Sequence, residues 1–370
     1  MKLTCAKNEI LNALRFVSKA IAAKPQTPLL SAVYLNAEGD TIELQGNNNE
    51  IGFTYKIKGD IEEQGHIALT GRSFQEIISK LPGDEVSLLY NKEEKTVHIE
   101  SGSAHFELLS IDANAYPTVK HFNGDLNFTI RDNELCNLVR KTAFACATDP
   151  NRPLFTGCSW IIDHTRLTMA ATNTHRLAVN NYIFSEDVGT IHMIVPARIL
   201  NELLHAVDTD VPSDVTVTCS YNSISFEFDN IFMTSRLLEG KFPDFERVIP
   251  KEFATRVQLE TEIFRAAVDR VSLIARSSEY NIIKLIFENN EVLITSTNQE
   301  VGSAEEKVPC TIDGPGLAIA FNASYIGDAL KVFDNKNMTF CLNEPLTAAR
   351  MIEEGCEDFV YVVTPVRTAH

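Results

Sequence analysis

Several features that commonly identify a function are missing from this 370-residue sequence. It has no run of 18 apolar residues, so no membrane-spanning helix is expected. Its eight cysteines are scattered without a C-x-x-C pair or a metal-like spacing to histidine, so nothing indicates a metal site or a disulfide framework. The first residues lead into a predicted helix rather than an apolar signal core. We therefore expect a cytoplasmic protein with reduced thiols and no bound metal.

Sequence signatures of enzymes are also lacking. There is no G-x-G-x-x-G, Walker A loop, G-x-S-x-G elbow or H-E-x-x-H. Cys158, Asp163, His164 and His175 could be imagined as a hydrolytic site, but the adjacent Asp163 and His164 would face opposite sides of a strand. A turn between two strands explains that pair better. We expect no catalytic residues and no cofactor, and a hydrolase is the least favoured class.

One apolar pattern occurs three times at a constant spacing. Four apolar residues at helical spacing recur every 126 residues, with an acidic residue in the same slot each time. The three tetrads are Phe74, Ile77, Ile78, Leu81; Leu200, Leu203, Leu204, Val207; and Ile326, Ala329, Leu330, Phe333. This period exceeds the roughly 20–50 residues of a solenoid unit. It predicts three copies of one domain.

Each third of the sequence predicts the same order of elements. A strand and an amphipathic helix come first, followed by alternating strands, a second helix and more strands. The predicted helices cover 7–24, 71–82, 131–152, 197–208, 261–276 and 322–336. We predict an α+β fold of three repeated domains, 1–124, 125–251 and 252–370, each with two helices packed on antiparallel sheets of roughly eight strands. Neither joint is a Gly/Ser linker, so we expect rigid joints.

The charges are distributed unevenly between the predicted helices and the rest of the chain. The net charge is −17, which by itself argues against a nucleic-acid partner. The six predicted helices together carry +5, which leaves about −22 for the rest of the chain. If all helices share one surface, that surface is positive against a negative exterior. Binding of nucleic acid is therefore not excluded.

Two strings depart from the repeat or from ordinary joint composition. ATNTHRLAV at 171–179 keeps the asparagine of the other copies, at Asn48 and Asn298, but adds His-Arg-Leu. Asn173 could simply cap its own turn, yet a departure from an internal repeat also favours an added function. EGKFPDFERVIP at 239–250 places aromatic residues and prolines in the joint between the second and third copies. The string YVVTPVRT at 361–368 extends apolar residues almost to the terminus.

These strings, together with the three copies, closely resemble the bacterial β sliding clamps, the processivity subunits of DNA polymerase III. The resemblance covers the whole chain. It implies three DNA-clamp domains that close into a ring as a head-to-tail homodimer around double-stranded DNA. It also implies a protein without its own catalytic site that tethers the polymerase III alpha subunit, the clamp loader and other replication or repair proteins through a short peptide motif.

The resemblance further implies residues for DNA contact and for the dimer. Sliding requires affinity for phosphates without reading of bases, which Lys and Arg on helices can supply. Matching positions suggest DNA contacts at Lys24, Arg72, Arg152 and Arg198. For the dimer interface they suggest Phe106 and Leu108 on an edge strand and Ile274 at the end of the opposing helix.

A cleft for partner peptides is implied between the second and third domains. Such a pocket binds a short peptide through a few apolar anchors. The matching positions are Phe155, Thr172, His175, Arg176, Leu177, Pro243, Arg247, Val248, Tyr280, Asn322, Tyr325, Leu346, Val362, Val363, Pro365, Val366 and Arg367. Tyr325 is the aromatic ring that only the third copy places at this helix start. It is expected to face His175-Arg176-Leu177, although packing at the joint is the alternative.

Some positions depart from the family pattern. Asn173-Thr174 stand where the family usually has Asp-Gly, and threonine tolerates a positive φ poorly, so we expect a reshaped loop. Thr364, Val366 and Thr368 replace bulkier residues, which predicts a shallower cleft. Pro153-Leu154 replace polar aromatic residues, so no DNA contact is assigned there. The low charge of the predicted helices and the net charge of −17 keep a clamp-fold scaffold that has lost DNA contact as the second hypothesis.

Overall fold

The computed structural model describes residues 1–22, 27–207, 211–276 and 281–367. Within these ranges the chain forms six α-helices and 26 β-strands in four antiparallel sheets. The helices are α1 (Lys7–Val17), α2 (Gly71–Lys80), α3 (Asp132–Thr142), α4 (Ala197–Ala206), α5 (Thr261–Ala275) and α6 (Ala323–Lys331). All six predicted helices are therefore present. The repeated tetrads face inward, with Phe74, Leu200, Leu203, Ile326 and Leu330 buried.

Some of the predicted helix ends are wrong. The helix predicted over 131–152 ends at Thr142 and continues only as a 3₁₀ turn, Ala143–Ala145. The hydroxyl of Thr142 donates to the Leu138 carbonyl oxygen (2.7 Å), a bond that competes with regular helix geometry. The helix predicted over 322–336 ends at Lys331. Beyond it, the backbone N–H groups of Asp334 and Asn335 donate to a Glu353 carboxylate oxygen instead of continuing the helix.

The first compact unit comprises residues 1–133 and 205–237, and it contains two sheets. Sheet 1 has the strand order β5 (Asp60–Glu63), β1 (Lys2–Ala6), β7 (Glu85–Asn91), β8 (Thr96–Ser101), β9 (Ala104–Leu109). Sheet 2 has the order β10 (Leu126–Arg131), β15 (Asp214–Cys219), β16 (Ser223–Phe228), β17 (Ile231–Arg236), β4 (Ile51–Lys58), β3 (Thr41–Asn47), β2 (Ala32–Glu38), β6 (Gly65–Thr70). Helix α1 packs against α2 and against strands β3 and β4.

The second compact unit comprises residues 134–204 and 238–370 and contains the other two sheets. Sheet 3 has the order β14 (Thr190–Pro196), β11 (Gly157–Asp163), β12 (Arg166–Thr172), β13 (Arg176–Ile183), β26 (Phe359–Val363), β25 (Ala349–Glu353), β24 (Asn337–Leu342), β18 (Thr255–Glu260), β22 (Thr311–Asp313). Sheet 4 has the order β21 (Gly302–Pro309), β20 (Glu291–Asn298), β19 (Ile282–Glu288), β23 (Leu317–Asn322). Helix α5 packs against α6, β20 and β21.

Two of the sheets are shared between copies of the repeat. In sheet 2, β4 of the first copy pairs with β17 of the second. In sheet 3, β13 of the second copy pairs with β26 of the third. The compact units therefore do not coincide with the copies, because the first unit holds the whole first copy and about a third of the middle one, and the second unit holds the rest. The domain limits at 124 and 251 stay a prediction.

The cysteines and the helices bear on two expectations from the sequence, reduced thiols and no membrane-spanning helix. All eight cysteines are free thiols. Cys5 and Cys219 lie in strands, and their burial raises the pKa of each thiol to about 12. None of the helices in the described ranges is long and apolar enough to cross a membrane.

A buried ion pair connects the second copy to the third inside the second unit. The Lys141 Nζ lies 2.6 Å from the Glu353 Oε2, and the two side chains are 5% and 0% exposed. The other Glu353 oxygen accepts the two backbone N–H groups that follow α6. Next to this pair, Arg140 binds Asp334 with both terminal nitrogens (3.1 and 2.6 Å), and this bond lowers the pKa of the Asp334 carboxyl. The end of α3 is thereby fixed to the 334–353 segment.

We predict that Lys141→Met destabilises the protein by about 3–5 kcal/mol, because it leaves the Glu353 carboxylate buried without its counter-charge. Arg140→Met is the matched control on the same helix. Its ion pair is exposed (39% and 56%), so its loss should cost no more than about 1 kcal/mol. Urea and thermal unfolding of the two variants measure the difference. Equal losses of stability in the two variants would contradict the assignment of Lys141 as the main connection between α3 and the 334–353 segment.

Candidate partner-binding cleft

The pairing of β13 with β26 forms the base of a cleft in the second unit. Leu177 pairs with Val362, and both are buried. Directly paired residues of adjacent strands project from the same face, so these two side chains lie side by side. Phe245 packs on them from the segment Gly240–Val248, which crosses this face. An apolar base is therefore built from the second copy, the third copy and the joint that connects them.

A cavity of about 330 Å³ opens above this base. Its lining comprises Phe155, Thr172, Thr174, His175, Arg176, Leu177, Pro243, Asp244, Phe245, Val248, Ala348, Val362 and Thr364. Eight of the predicted cleft positions are in this set: Phe155, Thr172, His175, Arg176, Leu177, Pro243, Val248 and Val362. Val248 is 58% exposed, so the cavity has an apolar rim open to a partner. The size and walls suit one or two apolar side chains.

Five lining residues were not predicted. Thr174, Phe245 and Asp244 lie inside the two strings singled out in the sequence, and Thr364 lies in the terminal string. Only Ala348 had no sequence signal. The next residue, Ala349, pairs with Val363 of β26, a contact that no local sequence pattern indicates.

A larger cavity of about 860 Å³ lies beside β18, β24 and β25. Its walls carry both signs of charge, including Arg256, Arg350, Glu354 and Glu357. These walls are more polar than apolar, whereas the exposed surface of the smaller cavity is almost entirely apolar. The smaller cavity is therefore the better candidate for partner binding.

Arg176 contacts the cleft, but its charge is engaged within the protein. Its side chain is 9% exposed, and Nη1 lies 2.8 Å from the Asp328 Oδ2 of α6. Its guanidinium also donates to the Phe144 carbonyl oxygen and lies 5.4 Å from the Phe144 ring and 4.8 Å from the Tyr325 ring. An almost fully buried arginine with these partners positions β13 against α6. It does not extend toward a ligand.

Tyr325 faces His175 and Arg176 as expected, but it is not part of the cavity lining. Its ring stacks on the His175 ring at 6.3 Å, and its carbonyl oxygen accepts the Tyr361 hydroxyl at 2.7 Å. Burial raises the pKa of Tyr361, which keeps that hydroxyl a donor. Packing at the joint, the alternative stated above, is therefore what these contacts support for Tyr325.

The other predicted cleft residues that the structure describes do not line this cavity. Asn322 caps α6, since its Oδ1 accepts the Ser324 N–H at 2.9 Å. Arg247 is exposed and pairs with Asp244 at 2.7 Å. Leu346 is 59% exposed, whereas Val363 is buried. The remaining positions are Pro365, Val366 and Arg367. The Val366 N–H donates to the Ala320 carbonyl oxygen at 2.8 Å. Tyr280 lies outside the described residues.

The turn 172–176 is held by its own side chains. Asn173 Oδ1 accepts the N–H groups of His175 and Arg176, each at 3.0 Å. Thr172 Oγ1 accepts the Thr174 N–H at 3.0 Å. Thr174 has φ +77°, so it takes the left-handed conformation despite its branched side chain, contrary to the reshaping expected above. Asn173 therefore caps its own turn while its neighbours line the cavity.

The same turn occurs in the other copies. Asn48 Oδ1 accepts the N–H groups of Glu50 and Ile51, and Asn298 Oδ1 accepts those of Glu300 and Val301. In the first copy, the left-handed position is taken by Asn49, with φ +72°. Asparagine tolerates that conformation far better than threonine. The repeat therefore places a strained residue only where the turn lines the cleft.

The predicted DNA and dimer residues are dispersed. Arg72 is 88% exposed and pairs with Glu76 at 3.0 Å. Arg152 is exposed and donates to the Thr174 hydroxyl at 3.1 Å, and Arg198 is exposed on α4. Within their observed bounds the helices carry only about +2, not +5, because several predicted ends lie outside them. Lys24 lies outside the described residues.

The strand predicted to lie at a sheet edge does lie at the edge of sheet 1. Phe106 and Leu108 lie on β9, the edge strand. Phe106 pairs with Ile99, which is fully buried, yet Phe106 is 41% exposed. Ile274 is half-buried near the end of α5, beside Leu273, which is 61% exposed.

The residues of the hydrolase hypothesis do not converge. Cys158 is fully buried near the start of β11, within 3.6 Å of the Cys146 sulfur, and its pKa is raised mainly by that contact. His164 follows the end of the same strand, roughly 20 Å away at about 3.3 Å per residue. Its exposed ring lies 2.8 Å from Asp187. The described residues contain no group of His, Cys, Asp and Glu that could hold a metal ion.

We predict that Thr174→Gly raises the midpoint of thermal unfolding, because glycine takes a φ of +77° without strain of order 1 kcal/mol. The matched control is Asn49→Gly at the same position of the first copy, where little strain exists to be relieved. Differential scanning fluorimetry compares the two. A lower midpoint for Thr174→Gly would show that the threonine contacts stabilise more than the conformation costs.

Comparison with known proteins places the chain in a family. Models of the DNA polymerase III beta subunit match as N-terminal domain over residues 1–120, central domain over 129–244 and C-terminal domain over 246–367. The beta sliding clamp of Staphylococcus epidermidis is 31% identical over 377 residues, with both chains fully covered. The DNA polymerase sliding clamp of Bacillus subtilis has a TM-score of 0.94 at 29% identity, and a Pseudomonas aeruginosa clamp bound to griselimycin has 0.91 at 29%, both with full coverage. This chain therefore belongs to the DNA polymerase III beta subunit family, the β sliding clamps.

Proposed function

We propose that two copies of this chain close head-to-tail into a ring around double-stranded DNA, and that the ring tethers replication and repair proteins. The observation that carries the proposal is the apolar cavity above β13 and β26 in a chain that matches the family along its whole length. The protein works without catalysis of its own. It supplies processivity by confining its partners to the DNA.

Closure of the ring is supported by the incomplete cover of sheet 1. Phe106 belongs to the inner face of β9 but keeps 41% of its surface exposed at the sheet edge. An open edge with apolar inner residues is suited to pair with a second chain. The exposed edge strand β21 of sheet 4, next to Ile274 on α5, is the proposed counterpart.

We predict that Phe106→Asp converts the dimer into a monomer, because closure would bury an unpaired carboxylate. Ile183→Asp, at a residue that is 59% exposed at the end of β13, is the control and should leave the dimer intact. Sedimentation velocity at low micromolar concentration measures the masses. A dimer that survives Phe106→Asp would remove β9 from the interface.

Contact with DNA is proposed to be electrostatic, weak at each site and independent of sequence. Most helix cations already have acidic neighbours: Arg72 with Glu76, Arg265 with Glu262, and Arg270 with Glu306. Few positive charges are therefore left to neutralise phosphates. This favours a ring that slides and is retained by its topology rather than by tight binding.

We predict that a variant with Lys24, Arg72, Arg152 and Arg198 changed to alanine loads more slowly and has a flatter salt dependence, while its dimer stays intact. A control with Lys2, Lys58, Arg166 and Lys307 changed to alanine alters the net charge equally. Retention on nicked circular DNA, before and after linearisation, tests encirclement. A wild-type protein that is retained on neither form would favour the scaffold hypothesis without DNA contact, and equal retention on both forms would contradict encirclement.

Partner capture is proposed to occur in the 330 Å³ cavity. Leu177, Val362 and Phe245 supply an apolar base, and Val248 supplies an exposed rim. These surfaces suit a Leu or Phe anchor from a short partner peptide, which commonly contributes about 2 kcal/mol or more. The alpha subunit of polymerase III and the clamp loader are the proposed partners. Griselimycin, which is bound by a similar clamp, is proposed to bind here as well.

We predict that Val248→Asp weakens binding of griselimycin by about 30-fold or more, since a charge replaces apolar rim surface. Val301→Asp is the control, because Val301 is similarly exposed (54%) and does not line the cavity. Isothermal titration with both variants measures the affinity. If the two variants bind alike, the cavity has been assigned wrongly.

A further inference from the structure

A strained threonine forms part of the cleft wall. The described non-glycine residues with a positive φ are asparagines and other unbranched residues, apart from Thr174. A branched residue is strained in this conformation and keeps it only where its surroundings determine it. The corresponding turn of the first copy uses Asn49, which does not line this cavity. The strain is therefore confined to the copy in which the turn faces a ligand cavity.

The side chain of Thr174 is fixed in place. Its Oγ1 accepts a hydrogen bond from Arg152 Nη1 at 3.1 Å. The Arg152 carbonyl oxygen in turn accepts the Phe155 N–H at 3.0 Å, so Arg152 connects the Thr172–Arg176 turn to the turn that carries Phe155. Because χ1 of a branched residue has few allowed values, a bound hydroxyl also fixes the methyl group. This hydrogen bond thus favours one rotamer of Thr174 at the wall near Phe155.

We propose that Thr174 is a specificity-determining residue of the cleft, which excludes partner peptides with a large side chain beside their apolar anchor. This inference rests on the proposed peptide-binding function. The Cβ, Oγ1 and Cγ2 atoms of Thr174 occupy space at the wall near Phe155 and Thr172. Since a β-branched side chain fills two of its three staggered positions in every rotamer, rotation about χ1 does not clear this space, so a small residue fits there and a bulky one collides.

Two labelled peptides test the proposal. Both end in Leu-Phe, and they differ only in the preceding residue, which is glycine in one and tryptophan in the other. Fluorescence anisotropy gives the ratio of their dissociation constants. We expect the wild type to prefer the glycine peptide by about tenfold or more, a range typical of size discrimination in apolar pockets. Thr174→Gly should reduce the preference to less than about threefold by tightening the tryptophan peptide.

Matched variants separate size from other effects. Thr174→Val keeps the branched shape without the hydroxyl acceptor and should retain the preference. Asn49→Gly makes the same kind of change in the first copy and should also leave the preference unchanged. Loss of selectivity in Thr174→Val, or its persistence in Thr174→Gly, would overturn the role of side-chain size. If neither peptide binds the wild type, the proposed peptide-binding function itself fails, and the inference fails with it.

Discussion

The antiparallel pairing of β13 with β26 is the contact on which the rest of the candidate site depends. It joins the second copy of the repeat to the third and aligns Leu177 with Val362 as the base of the cleft. It also sets the position of the turn before β13 and of the tail after β26, where the Thr364 N–H and hydroxyl both bond to the His175 carbonyl oxygen. A one-residue slip of β26 in this register would turn Val362 to the face opposite Leu177, because β13 is also held by β12.

Buried charges fix that register where apolar contacts alone would not. Arg176 contacts Asp328 and two aromatic rings, and Lys141 contacts Glu353, so α3, α6, β13 and β25 meet in one arrangement. A buried ion pair contributes little net stability compared with apolar residues of similar size. Its geometry is nevertheless exacting, because a displaced partner leaves an uncompensated charge. We interpret these pairs as devices that specify how the second copy meets the third.

The sequence predicted the features that repeat and missed those that arise between copies. The apolar tetrads identified the second helix of each copy because they recur at a constant spacing with helical periodicity, and the amphipathic stripe that opens each copy identified the first. Asp328 was also visible, as the acidic residue of the third tetrad. Its partner Arg176 lies 152 residues away, however, and no local pattern reports such a pairing. The sharing of sheets 2 and 3 between copies was missed for the same reason.

The cleft was predictable in its composition but not in its geometry. The strings around His175 and Phe242 stood out, and most of the cavity wall comes from them. The engagement of Arg176 within the fold and the position of Tyr325 outside the cavity depend on side-chain packing across strands. Thr174 is the clearest case. Its conformational preference predicted a reshaped turn, but the bonds made by Thr172 and Asn173 outweigh that preference.

The sharing of sheets between copies has a consequence during synthesis. Strand β4 pairs with β17, and β13 pairs with β26, across sequence separations of about 180 residues in each case. At a translation rate of about 5–20 residues per second, each earlier strand waits roughly 10–40 s before its neighbour emerges from the ribosome. During that interval an apolar sheet edge is open to other chains. The nascent protein therefore passes through two stages in which an exposed apolar sheet edge favours aggregation, although its sequence indicates three complete domains.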